Sequence, residues 1–261
     1  MIATSSKALG AGAARKLATL VRHVDRSIDH GIGSDEVANR VRRYVGEHDA
    51  PPDDRAAFSR LCIVVFAQGI GYDVVLAKAA EFRAAFEDFE PTLVAHYDDA
   101  RIAALLEAPI VRNAAKIRAC IENAKRWCEL AQQHGTYLGR VALIAATDDP
   151  ISGWLALSDA VRGDFVHIGD SAARQTLKRW GFFTAFVHPG ARRSIERLGL
   201  IDATSDGPAV QRLIGGAAHR LGRDPYAVEA AFALFAGLGP CRKTPKCGEC
   251  ALADRCPSAR V

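Results

Sequence analysis

The amino-acid sequence predicts an all-α protein. Alanine is abundant and runs of β-branched residues are short, a composition that favours helix. Apolar residues recur three or four positions apart over long stretches, which places them on one face of a helix. Hydrophobic residues make up 49% of the 261 positions, enough to bury a sizeable core in one large domain or two small lobes.

The first part of the chain contains three predicted helices. The segment 13–29 has one apolar face, formed by Leu17, Leu20, Val21, Val24 and Ile28. Residues 50–58 contain Pro and Asp, which predicts a loop leading into a helix. The dense apolar run 61–67 fits a buried strand or a buried helix, and its helical neighbours favour helix. Residues 75–86 predict a further amphipathic helix, which a Glu-Pro pair ends.

The second part continues the helical pattern. Residues 110–128 have apolar positions spaced alternately by four and three, which predicts a long helix. Residues 163–169 predict a short strand-like piece and a Gly-Asp turn before a helix at 171–180. A proline opens the next helix and a glycine stops it, at 189–199. Two last helices are predicted at 208–221 and 225–237.

Charge and hydropathy restrict the setting. The formal net charge is +4, which permits a polyanionic partner without demanding one. No apolar stretch reaches the length of a membrane span. The N-terminal stretch MIATSSKALGAGAARK lacks the apolar core of a signal peptide. We therefore expect a cytoplasmic protein with no membrane partner.

Four of the seven cysteines crowd into the end of the chain, as Cys241-x5-Cys247-x2-Cys250-x5-Cys256. In a reducing compartment such crowding indicates metal ligation rather than disulfides. Zinc ribbons usually pair two Cys-x-x-Cys knuckles, and only one is present here. An iron–sulfur cluster therefore fits the spacing better, with zinc and unligated thiols as alternatives.

The tail GPCRKTPKCGECALADRCP resembles the C-terminal iron–sulfur loop of endonuclease III and the adenine-specific mismatch glycosylases. The resemblance implies a [4Fe–4S] cluster on the four cysteines, although this loop is one residue shorter between the first two. In that family the loop presents basic side chains to DNA phosphates, and here it carries Arg242, Lys243 and Lys246. The alternative is a solvated basic turn.

Two internal stretches extend the resemblance. AQGIGYDVVLAKAAEFRAAFEDFEP is similar to 3-methyladenine DNA glycosylase I, and IVRNAAKIRACIENAKRW is similar to that family and to endonuclease III. Together they resemble the helix-hairpin-helix DNA glycosylase superfamily. This implies two helical lobes: a six-helix barrel domain, 57–198, and an iron–sulfur domain made of both chain ends, 1–56 with 199–261. A monomer associated with the nucleoid would bind damaged or modified double-stranded DNA in the cleft between them.

The resemblance also assigns roles around a base pocket. Gln68 stands where endonuclease III fills the hole left by an extruded base, with a capping or buried-polar role as the alternative. Tyr72 aligns with an aromatic residue that stacks on the flipped base, with an ordinary core tyrosine as the alternative. The hairpin equivalent, 167–171, keeps one glycine, Gly169, for a phosphate contact. Asp170 is expected to cap the following helix.

The superfamily's catalytic groups are missing from their expected positions. The aspartate position is His188, and the glutamate position of the 3-methyladenine family is Val64. The lysine position of bifunctional members is Ser171, at the base pocket, so Schiff-base lyase chemistry is not expected. His188 is the first candidate for a substitute catalytic residue, Asp170 the second and Asp73 the third.

The cations expected to hold DNA outside the cysteine loop are Arg112, Lys116, Arg192 and Arg193, and binding should weaken with salt. The resemblance implies a monofunctional glycosylase that hydrolyses the N-glycosidic bond of a damaged or modified base. An alkylated purine needs the least catalytic help, because a cationic base leaves neutral. A catalytically inactive iron–sulfur module that recognises DNA lesions is one alternative. A zinc-containing helical protein unrelated to DNA is another.

Overall fold

The computed structural model of the protein describes residues 11–29, 35, 39, 49–147, 150–184 and 189–259. Within these ranges all regular secondary structure is helical, which confirms the all-α prediction. No helix in the described ranges combines the length and the apolar character needed to cross a membrane. The chain forms two compact units. A terminal unit is drawn from residues 1–47, 149–151 and 185–261, and a central unit from residues 48–148 and 152–184.

The helices are numbered here in chain order. They are α1 (Ala11–Asp29), α2 (Asp54–Ala67), α3 (Tyr72–Leu76), α4 (Ala79–Ala85), α5 (Pro91–Val94), α6 (Asp99–Glu107), α7 (Ala114–His134), α8 (Tyr137–Ala145), α9 (Pro150–Asp164), α10 (Asp170–Arg179), α11 (Pro189–Arg197), α12 (Gly207–Leu221) and α13 (Pro225–Gly237). Helices α2 to α10 build the central unit. Helices α1 and α11 to α13 build the terminal unit.

Side-chain caps explain where the central helices begin. Asp53 accepts a hydrogen bond from the Ala56 amide at 2.7 Å and so starts α2. Asn113 accepts one from the Lys116 amide at 3.1 Å and starts α7. Each cap satisfies an amide that the helix itself leaves without a partner. The predicted helix at 110–128 is confirmed, but this cap places its beginning at Ala114.

The core of the central unit surrounds α2, whose residues are buried on every side from position 57 to 67 apart from two half-buried ones. An all-round apolar helix of this kind belongs inside a protein, which decides between strand and helix for the run 61–67. An aromatic cluster lies beside it. The Trp127 ring centroid is 4.2 Å from that of Tyr137, 5.4 Å from Phe58, 5.6 Å from Phe165 and 5.9 Å from Trp180.

The core of the terminal unit is built on α13, which packs against α11, α1 and α12. The apolar face predicted near the N-terminus is used here, since Leu17, Leu20 and Val21 are buried. Because α11 packs on α13, residues 189–197 fold with the terminal unit. The domain division predicted from the resemblance, at 56 and 198, stays a prediction.

Two local predictions are wrong. The single helix expected at 75–86 is split into α3 and α4, and Lys78 at the break reaches away to donate to the Pro109 carbonyl at 2.9 Å. The strand-like piece expected at 163–169 is the end of α9 followed by a bend and a turn. There the Asn123 side chain bonds both backbone groups of Val166, at 2.8 and 3.1 Å, so no strand partner is needed.

Candidate DNA-binding site and cysteine loop

A glycine-rich turn links α2 to α3 and separates two of the predicted site residues. Gly69 has φ +76° and Gly71 has φ +104°, backbone conformations that residues other than glycine rarely adopt. The turn leaves Gln68 at the end of α2 and Tyr72 at the beginning of α3. The sequence therefore needs both glycines for the tight turn between these two residues.

Gln68 lies at a junction of three segments. Its side-chain amide donates to the His167 carbonyl at 2.6 Å, which ties the end of α2 to the hairpin. The Lys116 ammonium donates to the Phe66 carbonyl at 2.8 Å and to the Gln68 carbonyl at 2.5 Å. Burial lowers the pKa of Lys116. The ammonium thus bonds carbonyls at the end of α2 that have no partner within the helix. A contact of Lys116 with DNA stays a prediction.

In the hairpin segment, residues 167–171, a histidine adopts a backbone conformation that is typical of glycine. His167 has φ +57°, in the left-handed region, and its side chain is exposed. Ile168 is buried beneath the turn, and Asn123 fixes the preceding residue through Val166. Asn123 is fully buried and was not expected from the sequence, because its partner lies more than forty positions away.

Asp170 has a different local role from the predicted one. Gly169 is the N-cap of α10 and Asp170 is its first residue, so the expectation that Asp170 caps this helix is wrong. Its carboxylate instead pairs with the Arg162 guanidinium. At this position the carboxylate suits the positive end of the helix dipole, and the arginine offsets its repulsion of phosphate. Ser171 is exposed and accepts from Gln175 at 3.5 Å.

Replacing His167 by glycine should stabilise the central unit by about 0.5–1 kcal/mol, because glycine adopts this φ without strain. The quantity to measure is the urea unfolding free energy, followed by tryptophan fluorescence. Gly169→Ala is the matched control: Gly169 has φ −88° and open space at its Cβ position, so no strain is relieved or created there. A destabilised His167→Gly protein would show that the imidazole makes a stabilising contact.

The Tyr72 ring carries an unexpected neighbour. The Arg179 guanidinium carbon lies 3.4 Å from the ring centroid, which is a stacked cation–π contact. Arg179 is 8% exposed, and its guanidinium also donates to the Gln175 carbonyl at 3.1 Å. One face of the ring that was predicted to stack on a base is therefore covered by a cation. The two residues are far apart in sequence, and no spacing pattern signals their contact.

The four terminal cysteines line one cavity in the terminal unit. Arg197, Phe235, Pro240 and Pro245 complete much of its wall. Burial raises the pKa of Cys250, and the nearby Cys241, Cys256 and Cys247 raise it further. Within the described ranges, no three Cys, His, Asp or Glu side chains converge closely enough to hold a single metal ion.

Arg197 organises the loop that bears these cysteines. Its guanidinium donates to the carbonyls of Arg242 at 2.7 Å and Lys243 at 3.2 Å, and lies 3.9 Å from the Cys241 sulfur. The Cys256 thiol donates to the Arg197 carbonyl at 3.2 Å. Burial raises the pKa of Cys241, and the Arg197 guanidinium opposes that rise. Sequence analysis missed Arg197, because no local pattern links it to the cysteine loop.

The cations predicted to bind DNA differ in the protein groups that they contact. Arg242 donates to the Leu238 carbonyl at 2.7 Å, at the end of α13, and Lys246 pairs with Glu249 at 3.2 Å. Lys243 is exposed. Arg192 pairs with Glu196 on its own helix at 2.8 Å and donates to the Ser205 carbonyl at 2.6 Å. All three loop cations are exposed, and a role of these residues in binding DNA stays a prediction.

Comparison with known proteins finds matches to the central part of the chain. Residues 43–159 match the methyladenine glycosylase family. The match covers a little under half of the chain. DNA-3-methyladenine glycosylase 1 of Escherichia coli (strain K12) is 30% identical over 95 residues, which cover 34% of this chain and 51% of that protein. The chain thus spans about half the length of this curated relative.

Solved structures also align with part of this chain. 3-Methyladenine DNA glycosylase I from Staphylococcus aureus aligns with a TM-score of 0.47 and 21% identity, covering 55% of this chain and 85% of that one. A second 3-methyladenine DNA glycosylase I aligns with a TM-score of 0.46 and 24% identity, covering 56% of this chain and 93% of that one. The endonuclease III part of the resemblance, with its six-helix barrel and cluster domain, stays a prediction.

The stretch 43–159, which matches the methyladenine glycosylase family, contains the turn between Gln68 and Tyr72 but not the catalytic glutamate that the resemblance leads one to expect. Val64 stands there, 1% exposed within α2. Asp73 is exposed on α3. His188, the first candidate for a substitute catalytic residue, lies outside the described residues.

Proposed function

We propose that this chain is a monofunctional DNA base-excision glycosylase that removes an alkylated purine from duplex DNA. The observation that carries the proposal is the match of residues 43–159 to the methyladenine glycosylase family. The relative named for 3-methyladenine supports an alkylated purine as the substrate. The arrangement of the central unit agrees, because the Gly-rich turn with Gln68 and Tyr72 is bonded to the hairpin through His167.

The chemistry needed from the protein is modest for such a base. The bond between the sugar C1′ and the base nitrogen breaks, and its electron pair goes to the base. Water then adds to C1′ and releases a proton to solvent. A cationic alkylated base leaves as a neutral molecule, so the barrier is lower than for an ordinary base. An apolar Val64 in place of a carboxylate is compatible with that reaction. Ser171 in place of a lysine excludes the usual Schiff-base route.

The four terminal cysteines are proposed to hold a [4Fe–4S] cluster. All four line one cavity, and Arg197 lies beside the Cys241 sulfur, as expected for residues around a buried thiolate centre. A zinc ion held by the four sulfurs, each at about 2.3 Å from the metal, is the alternative for this site. The cluster would serve to fold the loop that carries Arg242, Lys243 and Lys246.

A base-release assay on randomly methylated duplex DNA tests the function. We expect release of methylated purines without strand cleavage and without a complex trapped by borohydride. His188→Ala and Asp170→Asn test the two candidate catalytic residues. The variant that removes the catalytic group should slow base release by about 10- to 100-fold. Asp159→Asn is the matched control, because Asp159 also lies near Arg162, at 3.7 Å, but not on the hairpin. Release that neither variant slows would remove both assignments.

A second candidate function is a catalytically inactive module that recognises DNA lesions. The observations that favour it are the apolar Val64 and the pairing of the Asp170 carboxylate with Arg162. In the same assay, tight binding to methylated DNA without release of any base would support the module and contradict the glycosylase.

A further inference from the structure

Arg179 is a fixed positive charge beside the residue predicted to stack on the base. Its guanidinium carbon is 3.4 Å from the centroid of the Tyr72 ring, and a hydrogen bond of 3.1 Å to the Gln175 carbonyl holds it against α10. The side chain is 8% exposed, so little solvent screens it on that side. The cation is therefore part of the fold rather than a mobile surface group.

The position of the charge fixes where a base can stack. Tyr72 is half-buried against the core of the central unit, and the guanidinium covers one face of its ring, so a base that stacks on this ring would have to use the opposite face. Two successive van der Waals separations place the base about 7 Å from the charge. At that separation a unit charge in a partly buried site still changes equilibria by more than about tenfold.

Breaking the glycosidic bond always lowers the formal charge of the base by one unit. A cationic base leaves neutral. A neutral base leaves as an anion and takes up a proton, and the water that adds to C1′ gives its own proton to solvent. We infer that Arg179, acting through Tyr72, draws the bonding electrons toward the departing base and so replaces part of the help that a carboxylate at Val64 would give. This inference rests on the proposed function.

The mechanism predicts opposite effects on binding and on bond breaking for a cationic base. Before the reaction the base and Arg179 repel each other, which weakens binding. In the transition state the positive charge has moved toward the sugar, away from Arg179, so the barrier falls. A residue that only supported the fold would impair both steps together, which makes the split between them diagnostic.

The experiment compares Arg179→Gln with the parent protein on duplex DNA containing 7-methylguanine. We expect the single-turnover rate of base release to fall about 10- to 50-fold. The affinity for duplex DNA carrying a non-hydrolysable 2′-fluoro 7-methylguanine should rise several-fold, because the repulsion is gone. Arg83→Gln is the matched control, since it removes an equal charge from an exposed pair with Asp88.

Arg179→Lys keeps the charge and guards against a variant that simply folds badly. It should retain a release rate within a few-fold of the parent, and thermal unfolding of all variants shows whether the fold is kept. A lysine variant as slow as the glutamine variant, or a glutamine variant with weaker binding, would overturn the inference. No release of any purine from randomly methylated duplex DNA by the parent protein would instead contradict the proposed function, so the two failures are distinguishable.

Discussion

Replacing Cys250 by alanine is expected to remove the iron–sulfur chromophore from the purified protein and to weaken its binding to duplex DNA. A cubane cluster needs a thiolate at each corner, and all four cysteines line the same cavity. The described part of the loop has only two short 3-10 turns, Cys247–Glu249 and Ala253–Arg255, as regular structure. Without a bound cluster the loop is held only by hydrogen bonds such as those of Arg197, because metal binding supplies folding free energy to such loops.

The measurements are iron and sulfide content, visible absorption, and DNA affinity as a function of salt. Lys243 is exposed, whereas Arg242 and Lys246 each have a protein partner. We therefore expect the slope of log affinity against log salt to become shallower by about one to three units. Cys128→Ala, a half-buried thiol of α7, should change none of these quantities. Stoichiometric zinc without sulfide in the parent protein would contradict the cluster.

Helical periodicity predicted most elements of the fold, and the errors have a common cause. The helices near 208–221 and 225–237 are confirmed almost to the residue, because Asp206 and Asp224 cap them and their apolar faces are strongly patterned. The split between α3 and α4, and the turn after α9, were missed. Both places make a hydrogen bond to a distant segment: the Asn123 side chain bonds the Val166 backbone, and the Lys78 ammonium donates to the Pro109 carbonyl.

The sequence predicted only those parts of the candidate site whose residues lie close together along the chain. The cysteine spacing predicted four thiols at one site. All four line one cavity, and their role as metal ligands stays a prediction. The contacts of Arg179 with Tyr72, and of Arg197 with the cysteine loop, join residues distant in sequence. A single sequence holds no periodic or local signal for such pairs, so their roles emerge only from the three-dimensional structure.

Replacing Asp54 by alanine is expected to destabilise the central unit by about 3–5 kcal/mol. One carboxylate oxygen accepts from the Trp127 indole at 3.0 Å and the Tyr137 amide at 2.7 Å, and the other accepts from the Leu138 amide at 3.0 Å. Trp127 and Tyr137 are buried, so alanine would leave their donors without water or a partner. The carboxylate thus joins the beginning of α2 to α7 and α8.

Tryptophan fluorescence during urea unfolding measures this effect selectively, because all three tryptophans of the sequence belong to the central unit. Asp53→Ala is the matched control. Asp53 precedes Asp54 and its side chain accepts the capping bond from the Ala56 amide, so its loss should cost about 1 kcal/mol. If both variants lost the same small amount, the three bonds of Asp54 would be replaceable by solvent, and the junction between α2, α7 and α8 would rest on its apolar contacts alone.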